Sequence, residues 1–249
     1  MSRRNLVLVG CLLTTLLVSL PVLSRSAREL PERFRKAPYT LMSLSVGHPN
    51  DGWQVRAKRL RSSDRLKVRK DCRKNSYGHP ALVLMLERTA KDIFAAQKGS
   101  VMLVGDLSDE NGGPLYGHRS HQSGRDADIG FFVTDKKGRP ITSDRFVAFN
   151  PDGSAKDGSP VLFDDWRNWL LVKSWILDRR AGISHIFVQH DLRQRLLSFA
   201  ARHPKARPYI TEAAALLKQP ESGEDHSDHF HVRISCPTDQ QGLCHSESR

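Results

Sequence analysis

Apolar positions recur at helical spacing in two long stretches of the chain. Leu82, Val83, Leu86, Ala90, Ile93 and Phe94 follow Pro80, a residue suited to a first helical turn, and predict a helix beginning there. Trp166, Trp169, Leu170, Lys173, Ile176 and Leu177 line one side of a second helix, from Asp164 to Arg180. Its tryptophans, Trp166, Trp169 and Trp175, read as core or core-edge packing. A shorter helix is expected from Leu192 to Ala201. Brief apolar runs of strand character lie between: Val101 to Val104, Ala127 to Val133, Ile186-Phe187-Val188 and Phe230 to Ile234. Residues 47–52 form a turn cluster, 106–120 and 135–160 read as loops, and the basic stretch 55–75 reads as a surface loop or hairpin. Strands and helices mix without βαβ alternation. The expected class is α+β, a small and mainly antiparallel sheet flanked by helices and long loops.

The N-terminus breaks this pattern. Ser2-Arg3-Arg4-Asn5 is a basic start, Leu6 to Leu23 is largely apolar, and small residues follow at Ser24, Ser26 and Ala27. Residues 1–27 therefore read as an export signal, which leaves one catalytic domain over 28–249 and a periplasmic location. The rival readings are a retained membrane anchor and lipidation at Cys11; only these would bring in the membrane. Without residues 1–27, Lys+Arg falls from 39 to 36 against 27 acids, a net charge of about +9. Outside the cytoplasm such a charge favours an anionic cell wall over nucleic acid, and no protein partner is indicated. Cys236 and Cys244 enclose a short loop and can pair in an oxidising compartment; Cys72 is then left over, or takes one of them.

The chemistry concentrates in two segments, 117–130 and 225–233, which hold five of the 11 histidines. A hydrolytic zinc needs three nitrogen or oxygen ligands and one open position, and His121, Asp128 and His231 supply two imidazoles and a carboxylate. Gly124 lies between the first two, where a sharp bend is needed. Asp126 and Asp128 are two apart and share a strand face, so on spacing alone either could ligate. His229 and His231 also share a face; one can bind the ion while the other stands beside the water as a base. The remaining histidines sit in no ligand-like spacing and read as structural or surface residues.

The block Gly117-His118-Arg119-Ser120-His121, with Gly124, Asp126 and Asp128, and the block His226, His229, His231, Val232, Arg233, followed by Cys236-Pro237, resemble a known family. They are similar to the lysostaphin-type/D-Ala-D-Ala metallopeptidases, and more closely to the penicillin-insensitive murein endopeptidases. The likeness extends to Tyr77-Gly78-His79-Pro80, Gly105-Asp106, Arg167-Asn168-Trp169 and Ile186-Phe187-Val188. It implies one zinc per chain, on the sheet, held by His121, Asp128 and His231. It implies His229 as general base with His226 beside it, His118, Arg125 and Asp126 around the site, and peptidoglycan cross-links as substrate. The rival functions are a zinc D,D-carboxypeptidase or dipeptidase of the same superfamily, and a non-catalytic zinc-stabilised wall-binding protein.

Overall fold

A computed structural model describes residues 30–220 and 225–248. The export signal expected over 1–27 lies outside these residues. In chain order the strands and helices are β1 (Leu44–His48), β2 (Asp51–Val55), β3 (Lys58–Arg59), β4 (Leu66–Val68), β5 (Tyr77–Gly78), α1 (Pro80–Ala96), β6 (Met102–Val104), β7 (Asp126–Gly130), β8 (Val133–Asp135), β9 (Pro140–Ile141), β10 (Val161–Phe163), α2 (Asp165–Leu177), β11 (Ile183–Phe187), α3 (His190–Arg202), α4 (Ile210–Leu216), β12 (Leu217–Lys218) and β13 (His229–Ile234). No helix among the described residues is long and apolar enough to cross a membrane.

The largest sheet has the order β12-β11-β13-β7-β6-β4. Its central pairs are antiparallel, and its two outer pairs, β11 with β12 and β4 with β6, are parallel. The fold is thus mixed helix and strand with mostly antiparallel pairing. The pairing of β7 with β13 sets the site. It places His231 opposite Asp128 and Arg233 opposite Asp126, so these four side chains share one face. The alternate positions Ala127, Ile129, Phe230 and Val232 point the other way, into the main core.

Two helices fix the chain on either side of β7. The His79 side chain caps α1 by accepting from the Ala81 amide, with Pro80 in the first turn, and the His79 amide donates to the Gly124 carbonyl. At α2 the Asp164 carboxylate caps the Arg167 amide and pairs with the buried Arg167 guanidinium. Asn168 exchanges two hydrogen bonds with the Phe132 backbone, at 2.8 and 2.9 Å, which ties α2 to the chain leaving β7. The buried stripe of α2 is rotated from the expected one. It comprises Arg167, Asn168, Trp169, Leu171, Val172, Trp175 and Ile176, while Trp166 and Leu177 are exposed. Two polar residues thus hold positions that hydrophobic periodicity assigns outward, because their hydrogen bonds are satisfied inside.

The basic stretch 55–75 also differs from the expected surface loop. Leu66 and Val68 are buried with Lys67 between them, and β4 joins the main sheet as an edge strand. A second, smaller cluster of Leu30, Phe34, Leu44, Val46 and Leu243 packs the hairpin β1–β2 against the chain's last turn. Cys236 and Cys244 form a disulfide beneath it, and Cys72 is free and buried.

Candidate functional site

His121 lies on the loop before β7, fully buried, with its backbone in the left-handed region at φ 68°. Gly124, at φ 73°, makes the bend between it and the strand; a Cβ there would meet Gln54 Oε1 at 1.9 Å. The His121 Nδ1–H donates to the Leu107 carbonyl, which leaves Nε2 as the free lone pair. His231 is held from behind in the same way. Its Nε2–H donates to Asp126 Oδ1 at 2.8 Å, and Arg233 Nε donates to the same oxygen at 2.6 Å. His231 Nδ1 is thereby the free lone pair.

These two nitrogens and Asp128 Oδ1 form a nearly equilateral triangle. His121 Nε2 is 3.3 Å from His231 Nδ1 and 3.3 Å from Asp128 Oδ1, and His231 Nδ1 is 3.4 Å from Asp128 Oδ1. Asp128 Oδ1 is buried and accepts no hydrogen bond from the protein. Three acceptors this close repel one another unless a cation lies among them. His118 stands at the edge, with Nδ1 3.7 Å from Asp128 Oδ2 and Nε2 3.2 Å from Asp106 Oδ2. His118, His121 and Asp128 also each present a ligand atom within 4.8 Å of the others, a set able to hold a metal ion.

His229 approaches the same carboxylate, its Nε2 3.4 Å from Asp128 Oδ1, while its Nδ1 donates to Asp228 Oδ1 at 2.6 Å. Burial disfavours a charge on this ring, but Asp128 and Asp228 outweigh it and raise its pKa to about 10. A cation shared with Asp128 would cancel much of that bias. Burial likewise opposes ionisation of Asp126 and Asp128, yet the facing groups prevail: the Arg233 guanidinium and the His231 Nε2–H favour the Asp126 carboxylate, and the surrounding histidines, the charged His229 among them, favour that of Asp128. The Phe146 ring stacks on His229 at 5.2 Å and fills notches at Gly105 and Gly130, where any Cβ would lie within 3 Å of it.

His226 completes the cluster. Its backbone is left-handed at φ 49°, and its ring centroid lies 5.0 Å from that of His229 and 5.5 Å from that of His231. A cleft of about 480 Å³ is lined by His118, His121, His226 and His231, with Phe187 and Arg233 beside them; His229 and Asp128 lie behind this lining. The two histidine segments, far apart in sequence, thus meet at one place. Arg125 does not come to it: its buried guanidinium donates to Ser123 Oγ and to the His245 carbonyl, away from the cleft. Sequence reasoning missed Phe146 and the hydrogen-bonding roles of Asp106 and Asp228. Asp106 stood only in the Gly105-Asp106 match, and Asp228 carried a signal as an acid next to a candidate base.

A family model described as penicillin-insensitive murein endopeptidase matches residues 45–249. Curated proteins of that name from Escherichia coli (strain K12 / DH10B) and from Shigella boydii serotype 18 are 27% identical over 229 residues, covering 90% of this chain and 77% of theirs. A third, from Escherichia coli O139:H28, matches equally.

Proposed function

This chain belongs to the penicillin-insensitive murein endopeptidase family, and on that premise we propose that it is an exported, periplasmic zinc peptidase that hydrolyses peptide cross-links of peptidoglycan. Residues 28–249 would be its one catalytic domain, following the signal at 1–27. The observation that carries the reading is the triangle of His121 Nε2, His231 Nδ1 and Asp128 Oδ1. Ligands about 2.0–2.1 Å from a tetrahedral zinc lie about 3.3–3.4 Å from each other, and the three observed separations match that spacing. The donor set, two imidazoles and a carboxylate with the fourth direction facing the cleft, is that of a hydrolytic rather than a structural zinc. The trio with His118 in place of His231 fits less well, because His118 is farther away and faces the other carboxylate oxygen.

Zinc bound here supplies Lewis-acid polarisation and lowers the pKa of water. The rest belongs to the protein. Asp126, itself fixed by Arg233, orients His231, and the Leu107 carbonyl orients His121. His229 keeps its Nδ1–H on Asp228 and takes the proton of the attacking water at Nε2. His226 borders the same space and contacts the peptide. The basic cleft and the overall positive charge suit a polyanionic wall.

The test is turnover of isolated cross-linked wall peptide, with and without a strong chelator and after zinc is restored. Conversion of dimers to monomers that stops with chelator and returns with zinc is expected. Release of terminal D-Ala alone would make the protein a carboxypeptidase, and binding without turnover would make it a wall-binding module.

A further inference from the structure

The short segment that follows β6 governs more of the site than its position suggests. The Gly105 amide donates to the Asp128 carbonyl and the Asp128 amide donates to the Asp106 carbonyl, at 2.8 and 3.0 Å. The next carbonyl, of Leu107, takes the Nδ1–H of His121. Two of the three proposed zinc ligands are therefore hung on residues 105–107. The Asp106 side chain does the same for a third ring. Its Oδ2 lies 3.2 Å from His118 Nε2, while its Oδ1 accepts from Asn75 Nδ2 at 2.8 Å.

The geometry points to Asp106 as a positioning residue for the peptidase reaction, acting through His118. An ionised carboxylate is an acceptor only, so it fixes the His118 proton on Nε2 and turns Nδ1 toward Asp128 and the cleft. The Asn75 amide holds the other carboxylate oxygen, so Asp106 is fixed from both sides, by Asn75 at Oδ1 and by the ring at Oδ2. His118 lines the cleft and Asp106 does not, so Asp106 reaches substrate only by way of this ring. His118 then presents Nδ1 to the peptide as a hydrogen-bonding group held at a fixed angle, without ligating zinc.

The inference rests on the peptidase reading, and its test has one arm that does not. Asp106→Asn places an amide against Nε2; the amide donates where the carboxylate accepted and drives the proton to Nδ1. Nitrogen-15 spectra of the histidine rings in metal-free protein should show Nε2–H at His118 in the wild type and a shift toward Nδ1–H in D106N. On cross-linked wall peptide, D106N should lower kcat about 10–100-fold, taking as a guide the effect of losing the carboxylate behind a metal-bound histidine, with zinc content unchanged. In a His118→Ala background the same change should alter kcat less than about twofold, since the ring it acts through is gone. Asp106→Glu, which keeps the acceptor, should retain the Nε2–H form and most of the rate. It also serves if D106N does not fold. Equal losses from D106N in both backgrounds, or a His118 tautomer indifferent to position 106, would overturn the assignment. A wild type inactive on wall peptide that still shows the tautomer change would refute the substrate while leaving the positioning role standing.

Discussion

Asp126→Asn is the most informative single change near the site, because the residue contacts no substrate yet supports two buried groups. Asp126 is fully buried, 2.6 Å from Arg233 Nε and 2.8 Å from His231 Nε2. Asparagine keeps the shape and one acceptor but removes the charge, which strands the guanidinium of a residue only 5% exposed. Breaking one side of a buried ion pair costs about 3–5 kcal/mol. At about 2–4 °C per kcal/mol for a domain of this size, the melting temperature should fall on the order of 6–20 °C. A second effect is separable. His231 loses its ionised partner, and zinc affinity should weaken about 10–100-fold. Thermal and guanidinium unfolding of metal-free protein reads the first; titration against a chromophoric zinc chelator reads the second. Replacing both partners, D126N with Arg233→Met, should recover part of the lost stability, since no buried charge is then left alone. A D126N protein that melts within about 2 °C of the wild type and binds zinc equally well would refute the account of how β13 holds its proposed ligand.

Three further outcomes are expected. His231→Ala should lose zinc and activity together, whereas His229→Ala should keep its zinc and lose about 10²–10⁴ in kcat; near-normal turnover in zinc-loaded H229A, with H226A dead, would transfer the base role to His226. Gly124→Ala should destabilise the fold by about 2–4 kcal/mol in chemical denaturation, from left-handed strain plus the overlap with Gln54, and an unchanged midpoint would show that the loop relaxes freely. Burial lowers the pKa of His79, only partly offset by the Ser43 backbone and Asp239. Its contribution to stability is therefore complete above the unfolded value of about 6.5 and is lost as pH falls from there toward the folded value, so urea midpoints should drop less between pH 7.5 and 5 in His79→Asn, which keeps the helix cap, than in the wild type.

The parts of this protein legible in its sequence are those where one local rule decides. Helix α1 is readable because Pro80 and an uninterrupted apolar stripe agree. The clustered histidines are readable because period two puts His229 and His231 on one strand face and Gly124 allows the bend after His121; which of them would ligate a metal comes only from the family resemblance. What escaped depends on non-local satisfaction. Arg167 and Asn168 look like surface residues until Asp164 and the Phe132 backbone are folded against them. Strand β4 has only Leu66 and Val68 to announce it, inside a run of lysine and arginine. Phe146 sits in a polar connection and acquires its place only because Gly105 and Gly130 leave a notch beside His229. Arg125, adjacent in sequence to the site, turns to the opposite side because it has the strand parity of Ala127 rather than of Asp126.

The direct register of His231 on Asp128 bears on how the protein comes into being. The two residues are about 100 positions apart, so a chain made from its N-terminus holds His121 and Asp128 well before their partner exists. An incomplete chain can offer zinc only two of the three proposed protein ligands, a weak site easily stripped by free thiols or chelators. Affinity would arise late and all at once, when β13 slots between β7 and β11. A metal held by all three would act as a clasp on this long-range contact, and the capacity to cut a cell wall would then be withheld until β13 has been made.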